Sequence, residues 1–145
     1  MTRYHYTVTV SADRANLEMF EGSDKVASSI VMMPAGNFES YSVNARFQGR
    51  GLSYALTHLM LLYARDAGIQ NPTISDAHNH LLVSLPKSGF VQVGALRVTK
   101  GGRMTAASFS CPSVAQALDI CKRKLLACGL IADGLRNAGP YQWRT

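Results

Sequence analysis

The sequence predicts an α+β fold with a mixed, mostly antiparallel sheet, one parallel βαβ unit and an extra helix near the C-terminus. Three observations lead there. Alternating apolar and polar residues form four strand-like runs before residue 44, the apolar period lengthens to three or four residues at Leu52, and a strand pattern returns after that helix. Strand, helix and strand in this order make a right-handed crossover that lays the fourth strand parallel to the fifth.

Tyr4, Tyr6, Val8 and Val10 alternate with His5, Thr7 and Thr9, so the first strand has one apolar and one polar face. A second run, Leu17 to Phe20, ends in the turn cluster Glu21-Gly22-Ser23-Asp24, and Val26 to Met33 is the third strand. Pro34-Ala35-Gly36-Asn37 is a turn into a fourth strand, Phe38 to Val43. Leu52, Ala55, Leu56, Leu59, Met60 and Tyr63 then line one side of a helix that Gly68 stops. Pro72 to Asp76 is a short strand, and His78 to Lys87 a second helix that Pro86 ends or distorts. Phe90 to Val98 and Met104 to Phe109 pair as a hairpin around Gly101-Gly102. Ser113 to Gln116 has capping-box spacing, and Val114, Leu118, Cys121, Leu125 and Cys128 share a face of a helix over about 113–128. The tail, 129–145, has no clear period.

The 145 residues are one domain's worth, and 47% hydrophobic residues with 17% charged ones exclude a disordered chain. Fifteen Lys and Arg against nine Asp and Glu give a net charge of +6, a bias toward anionic partners. No window approaches the roughly 18 apolar residues of a membrane span. Met1 to Val10 alternates where a signal peptide would be apolar, so the expected location is the cytoplasm. The three cysteines, Cys111, Cys121 and Cys128, read as small buried thiols in a reducing compartment.

The chemistry concentrates where the fourth strand runs into the first helix, from Val43 through Gln48-Gly49-Arg50-Gly51-Leu52-Ser53. Glycines let backbone amides turn toward a ligand, the helix start adds free N–H groups with a partial positive charge, and Arg50 adds a full one. A pyrophosphate fits such a place, although any α/β protein can contain a Gly-rich turn.

Val43 to Leu56 resembles motif A of the GNAT superfamily of acyl-CoA-dependent N-acyltransferases, where Q/R-x-x-G-x-G/A follows a strand valine and precedes a long helix. Gln48, Gly51 and Ser53 take the three marked places, with Ser in place of the usual Gly or Ala; a second register, Arg46-x-x-Gly49-x-Gly51, also satisfies the pattern. His78 to Phe90 resembles motif B, in which an Asn opens a helix that ends in Gly-Phe; Gly89-Phe90 are present, and the Asn falls on His78 or Asn79. With the flanking strands, the likeness covers roughly residues 15–110.

The resemblance implies an N-acetyltransferase that moves an acetyl group from acetyl-CoA, or another acyl-CoA, to a primary amine by direct attack in a ternary complex. It assigns cofactor binding to Val43, Gln48, Gly49, Arg50, Gly51, Leu52 and Ser53, with His78 or Asn79 opening motif B. Glu39 is the candidate base, since on a regular strand it shares a face with Tyr41 and Val43. Ser84, His80 and Tyr41 are candidate acids, because the tyrosine many members carry in the motif B helix is replaced by Leu85. Only Ser11 to Ala15 separate the first two strands, so the helices that usually lie there, and much of the acceptor pocket with them, are missing.

Other readings stay open. The acceptor is a small molecule, a peptide or a tRNA-linked amine, and the last would make the chain toxin-like. Arg97, Lys100, Arg103, Lys122, Arg123, Lys124 and Arg136 either form a nucleic-acid surface or remain solvated. A degenerate fold acting as a binding or inhibitor module is the non-enzyme alternative. Asp76, His78 and His80 have i, i+2, i+4 spacing for a metal, but a helix starting near His78 turns the two histidines apart, and no metal is expected. By analogy with small members of the fold, pairing of edge strands into a homodimer is the expected assembly.

Overall fold

The computed structural model describes residues 4–44, 46, 51–78, 81–98, 105–127 and 135–143, except for the side chains of Asp76, His78 and Leu135. The four N-terminal runs are strands β1 (Tyr4–Val10), β2 (Arg14–Glu21), β3 (Asp24–Met32) and β4 (Asn37–Val43). Helix α1 (Leu52–Asp66), strand β5 (Thr73–His78), helix α2 (Leu81–Lys87), strands β6 (Val91–Val98) and β7 (Thr105–Ser110), and helix α3 (Val114–Ala127) follow as the periodicity predicts. The tail, expected to be irregular, contributes one more strand, β8 (Leu135–Asn137). Three residues are too few to show a period, and β8 exists through its pairing with β1. Helix α2 also begins later than expected, because β5 continues through His78. The turn at Gly101-Gly102, Cys128 and Gly129 lie outside the described residues.

All eight strands form one sheet in the order β6-β7-β5-β4-β3-β2-β1-β8. The β4–β5 and β1–β8 pairs are parallel and the others antiparallel, the mixed, mostly antiparallel sheet that was expected. β1 and β2 are joined directly through residues 11–13, so no helix intervenes between them.

The alternation sorts side chains by face. Tyr4, Tyr6 and Val8 of β1, Ala15, Leu17 and Met19 of β2, Val31 of β3 and Phe38 of β4 are buried beneath α1, which crosses β2 to β4 and packs against α3. α2 leans on β5, β6 and β7 and touches α1. Its follower Gly89 lies so near Ala117 and Ile120 that an added Cβ would be 3.3 Å from Ile120, which sets α3 beside the end of α2. The described helices thus share one face. The other face of β1 to β4 carries Thr7, Thr9, Asn16, Glu18, Ser28 and Glu39, none of them buried.

Local chemistry fixes the element ends. At the end of α1, Gly68 takes φ +78°, which lets its N–H reach the Arg65 carbonyl and the Ile69 N–H reach Ala64. Ile69 then packs over Gly36 in the β3–β4 turn, where a Cβ would come within 2.5 Å of it. The Ser113 hydroxyl accepts the Gln116 N–H at 3.2 Å and caps α3. The tail returns under α1: Trp143 Nε1 donates to the Tyr6 hydroxyl at 2.8 Å, Tyr141 meets Trp143 edge-on at 5.0 Å, and the Tyr141 hydroxyl donates to the buried Asp66 carboxylate. No described helix is long and apolar enough to cross a membrane.

His58 of α1 is buried, and its Nδ1 has no hydrogen-bond partner. Burial, with Lys122 and Arg65 nearby, pulls its pKa down to about 4. The unfolded chain therefore binds a proton that the folded one refuses below about pH 6.5, and stability falls as the pH drops from there toward 4. Urea unfolding is expected to show a loss of roughly 2 kcal/mol between pH 7 and pH 5 from this residue. His58→Gln should flatten most of that slope.

Candidate active site

β4 and β5 are parallel neighbours that pair only at Asn37 with Thr73 and Phe38 with Ile74. The Asn37 side chain ties this end, its Oδ1 accepting from the Thr73 hydroxyl at 3.0 Å. Beyond it the strands part, yet each stays paired to its outer neighbour: β4 to β3 as far as Val43, and β5 to β7 as far as His78. Glu39 to Ser42 therefore present a strand edge to a gap within the sheet. Backbone N–H and C=O groups in such a place require partners.

A bulge in β4 decides which side chains flank the gap. Ser28 pairs with Ser42 and Ile30 with Glu39, so Ser29 alone opposes both Ser40 and Tyr41. Ser40 takes φ +56°, and the Ser29 hydroxyl donates to the Glu39 carbonyl at 2.7 Å. The extra residue inverts the alternation. Phe38 faces the helices and Glu39 the open side; after the bulge Tyr41 and Val43 face the helices and Ser42 the open side. Glu39 therefore does not share a face with Tyr41 and Val43, contrary to the regular-strand expectation. The Tyr41 hydroxyl points to α1 and donates to Thr57 at 3.4 Å, whereas Glu39 is close enough to Arg14 on β2 to act on its charge. The apolar spacing Phe38, Tyr41, Val43, three residues and then two, is the signal of this bulge in the sequence.

At the same end of β4 the chain enters α1 through Gly51, whose φ of +77° belongs to the left-handed region. No side chain caps the helix and its first turn holds no acid. The Tyr54 and Ala55 amides bond back to Gly51, and those of Leu52 and Ser53 have no backbone partner among the described residues. Gln48, Gly49, Arg50, Asn79 and His80 lie outside the described residues, as does the His78 side chain.

Burial limits the other candidates. Leu85, where a family tyrosine would stand, is fully buried, and Ser84 on the same helix is buried, with its carbonyl accepting from Ser88. Desolvation pushes the Tyr41 phenol above its usual range, so it stays protonated. Cys111 and Cys121, buried as expected, are pushed up to about 11 by desolvation and are thiols at neutral pH, poor nucleophiles. Arg46 pairs with Asp24 at 3.6 Å on the surface. Of the late cations, Lys100 and Arg103 lie outside the described residues; among the described ones, Arg97 is on β6 and Arg136 on β8, at opposite sheet edges, and Lys122, Arg123 and Lys124 ride on α3.

No family model matches the sequence, and no curated protein sequence matches it. Solved structures do match. An acyl-CoA N-acyltransferase from Pseudomonas aeruginosa superposes with a TM-score of 0.60 at 17% identity, over 70% of this chain and 70% of its own. The CoA-dependent acyl-homoserine lactone synthase BjaI, with SAM and isopentyl-CoA, has a TM-score of 0.64 at 17% identity, over 91% of this chain and 72% of its own. The ribosomal-protein-S18-alanine N-acetyltransferase from Escherichia coli has a TM-score of 0.59 at 20% identity, over 72% of each chain. At these identities the likeness is one of fold.

The bulge yields a stability test. Ser29→Ala leaves the Glu39 carbonyl without this part-buried hydrogen bond and is expected to cost about 1 kcal/mol in denaturant unfolding. Ser40→Gly relieves the left-handed backbone and should recover about as much.

Proposed function

We propose that this chain, which has the GNAT fold of acyl-CoA N-acyltransferases, transfers an acetyl group from acetyl-CoA to a primary amine by direct attack in a ternary complex. The observation that carries this reading is the gap between β4 and β5 beside an uncapped helix start. An extended ligand bearing amides pairs with the edge of β4 from Glu39 to Ser42, which β5 leaves uncovered, as an added strand would. Phosphates suit the amides of Leu52 and Ser53 at the positive end of α1, joined, on the sequence resemblance, by Gln48, Gly49 and Arg50. His78 or Asn79 would close the site from the β5 side.

Acetyl-CoA supplies an activated acyl carbon. The chain's part is to hold it, orient it and move protons. An amine of reference pKa near 10.4 arrives as an ammonium and has to lose a proton before it attacks. Glu39, exposed beside the gap, is the base we assign. The described cysteines are protonated, which supports direct attack over a covalent acyl-enzyme. For the departing sulfur, whose thiol has a reference pKa near 8.5, the protonated Tyr41 and Ser84 are the available hydroxyls, and water suffices without them.

Leu85 favours a second reading, a module that holds CoA without turnover. Free-thiol release with an amine panel separates the two. Under the transferase reading, Glu39→Gln lowers kcat by about 10²–10⁴ and leaves the acetyl-CoA Kd unchanged. Ser53→Glu puts a negative charge at the helix start, where it suits the helix but repels phosphate. It should keep the Tm within a few degrees and weaken acetyl-CoA binding, read by calorimetry, by at least about tenfold.

A further inference from the structure

The face of the sheet turned away from the helices holds a groove of about 360 Å³. Two cross-strand rows run through it: Thr9, Asn16 and Ile30, each paired with the next across β1 to β3, and alongside them Glu18 and Ser28; Glu39, the partner of Ile30, stands just beyond on β4. Paired residues of a ladder project to the same side. The groove thus runs across the strands and reaches Ser40, in the bulge at which β4 leaves β5.

Its lining is hydroxyl, amide and charge, with Ile30 as the one apolar side chain. Such a lining suits a small polar molecule and not an acyl chain. The charges have an order. Glu39 adjoins the β4 end through its pairing with Ile30, while Lys25 and Glu18 face each other across β2 and β3 at 3.2 Å. Their side chains are 54% and 35% exposed, and a pair so exposed is worth only about 0–1 kcal/mol, so a ligand can replace either partner. Arg14, also near Glu39, is paired with Asp13 at 3.3 Å and does not line the groove, whereas Lys25 does. Within the groove, a carboxylate at the reacting end and a cation further along complement a molecule with the opposite order.

We infer that this groove binds the acceptor, and that the acceptor is a small zwitterion, a free amino acid or close analogue, with its ammonium at Glu39 and its carboxylate directed to Lys25. The inference rests on the acyl-donor site proposed above. In the reaction the amine nitrogen bonds to the acyl carbon, the carbon–sulfur bond breaks, the ammonium proton passes through Glu39 to solvent, and the thiolate is protonated. The products are an N-acetyl amino acid and free CoA thiol.

The test uses the full chain. Calorimetry with acetyl-CoA comes first, and absence of binding removes both the donor site and this inference. With binding established, thiol release is measured for the common amino acids, their methyl esters and spermidine, which lacks a carboxylate. At least one amino acid should be acetylated with kcat/KM about tenfold or more above its ester. Lys25→Met should bring that ratio near one through KM, with the acetyl-CoA Kd unchanged. Turnover of esters or spermidine alone, a preference that survives Lys25→Met, or binding of acetyl-CoA with no amino acid acetylated overturns the inference and leaves the donor site standing.

Discussion

Two parallel strands lie side by side in the middle of an otherwise antiparallel stretch of sheet, and they hold together only at their first two paired residues. Parallel neighbours need a crossover, and α1 supplies it, so the helix that starts at the C-terminal end of β4 also covers the core. Had β4 and β5 stayed paired to their ends, the sheet would be closed and the amides of α1 would face no opening. The gap persists because each strand is held from outside, β4 by β3 and β5 by β7. It is part of the folded framework.

The bulge at Ser40 then divides the work between the two faces of the sheet. Tyr41 and Val43 turn toward α1 and continue the buried layer, while Glu39 and Ser42 turn toward the open side. A ligand lodged in the gap would meet apolar packing and a protonated phenol on one side, and a carboxylate with a polar groove on the other. In the proposed reaction, acyl-CoA binding and proton removal would be separated across the thickness of one sheet. β1 and β2 are joined without a helix, and among the described residues no helix lies on that second face of β1 to β4.

Much of this is legible in the residues. The period of Leu52 to Tyr63 and the Gly68 stop give α1 almost to the residue, and Ser113 caps α3 as its spacing predicts. The parallel β4–β5 pair follows from element order alone. The bulge does not, because a run of alternating residues is read by its average, and one inserted residue reverses every side chain after it. Phe38, Tyr41 and Val43 carried the information, but the polar Ser40 and Ser42 made the run look regular. β8 and the packing of Tyr141 and Trp143 were hidden for another reason: they depend on contacts with Tyr6, Tyr63 and Asp66, far away in the chain.

In the proposed reading, the parted strands and the start of α1 form one acyl-CoA site. Amide hydrogen exchange of the full chain, with and without acetyl-CoA, tests it most directly. Added protection is expected in Glu39 to Ser42 and in Leu52 and Ser53, with β1 and β2 unchanged. No change in β4 and α1, or protection confined to other elements, would contradict it.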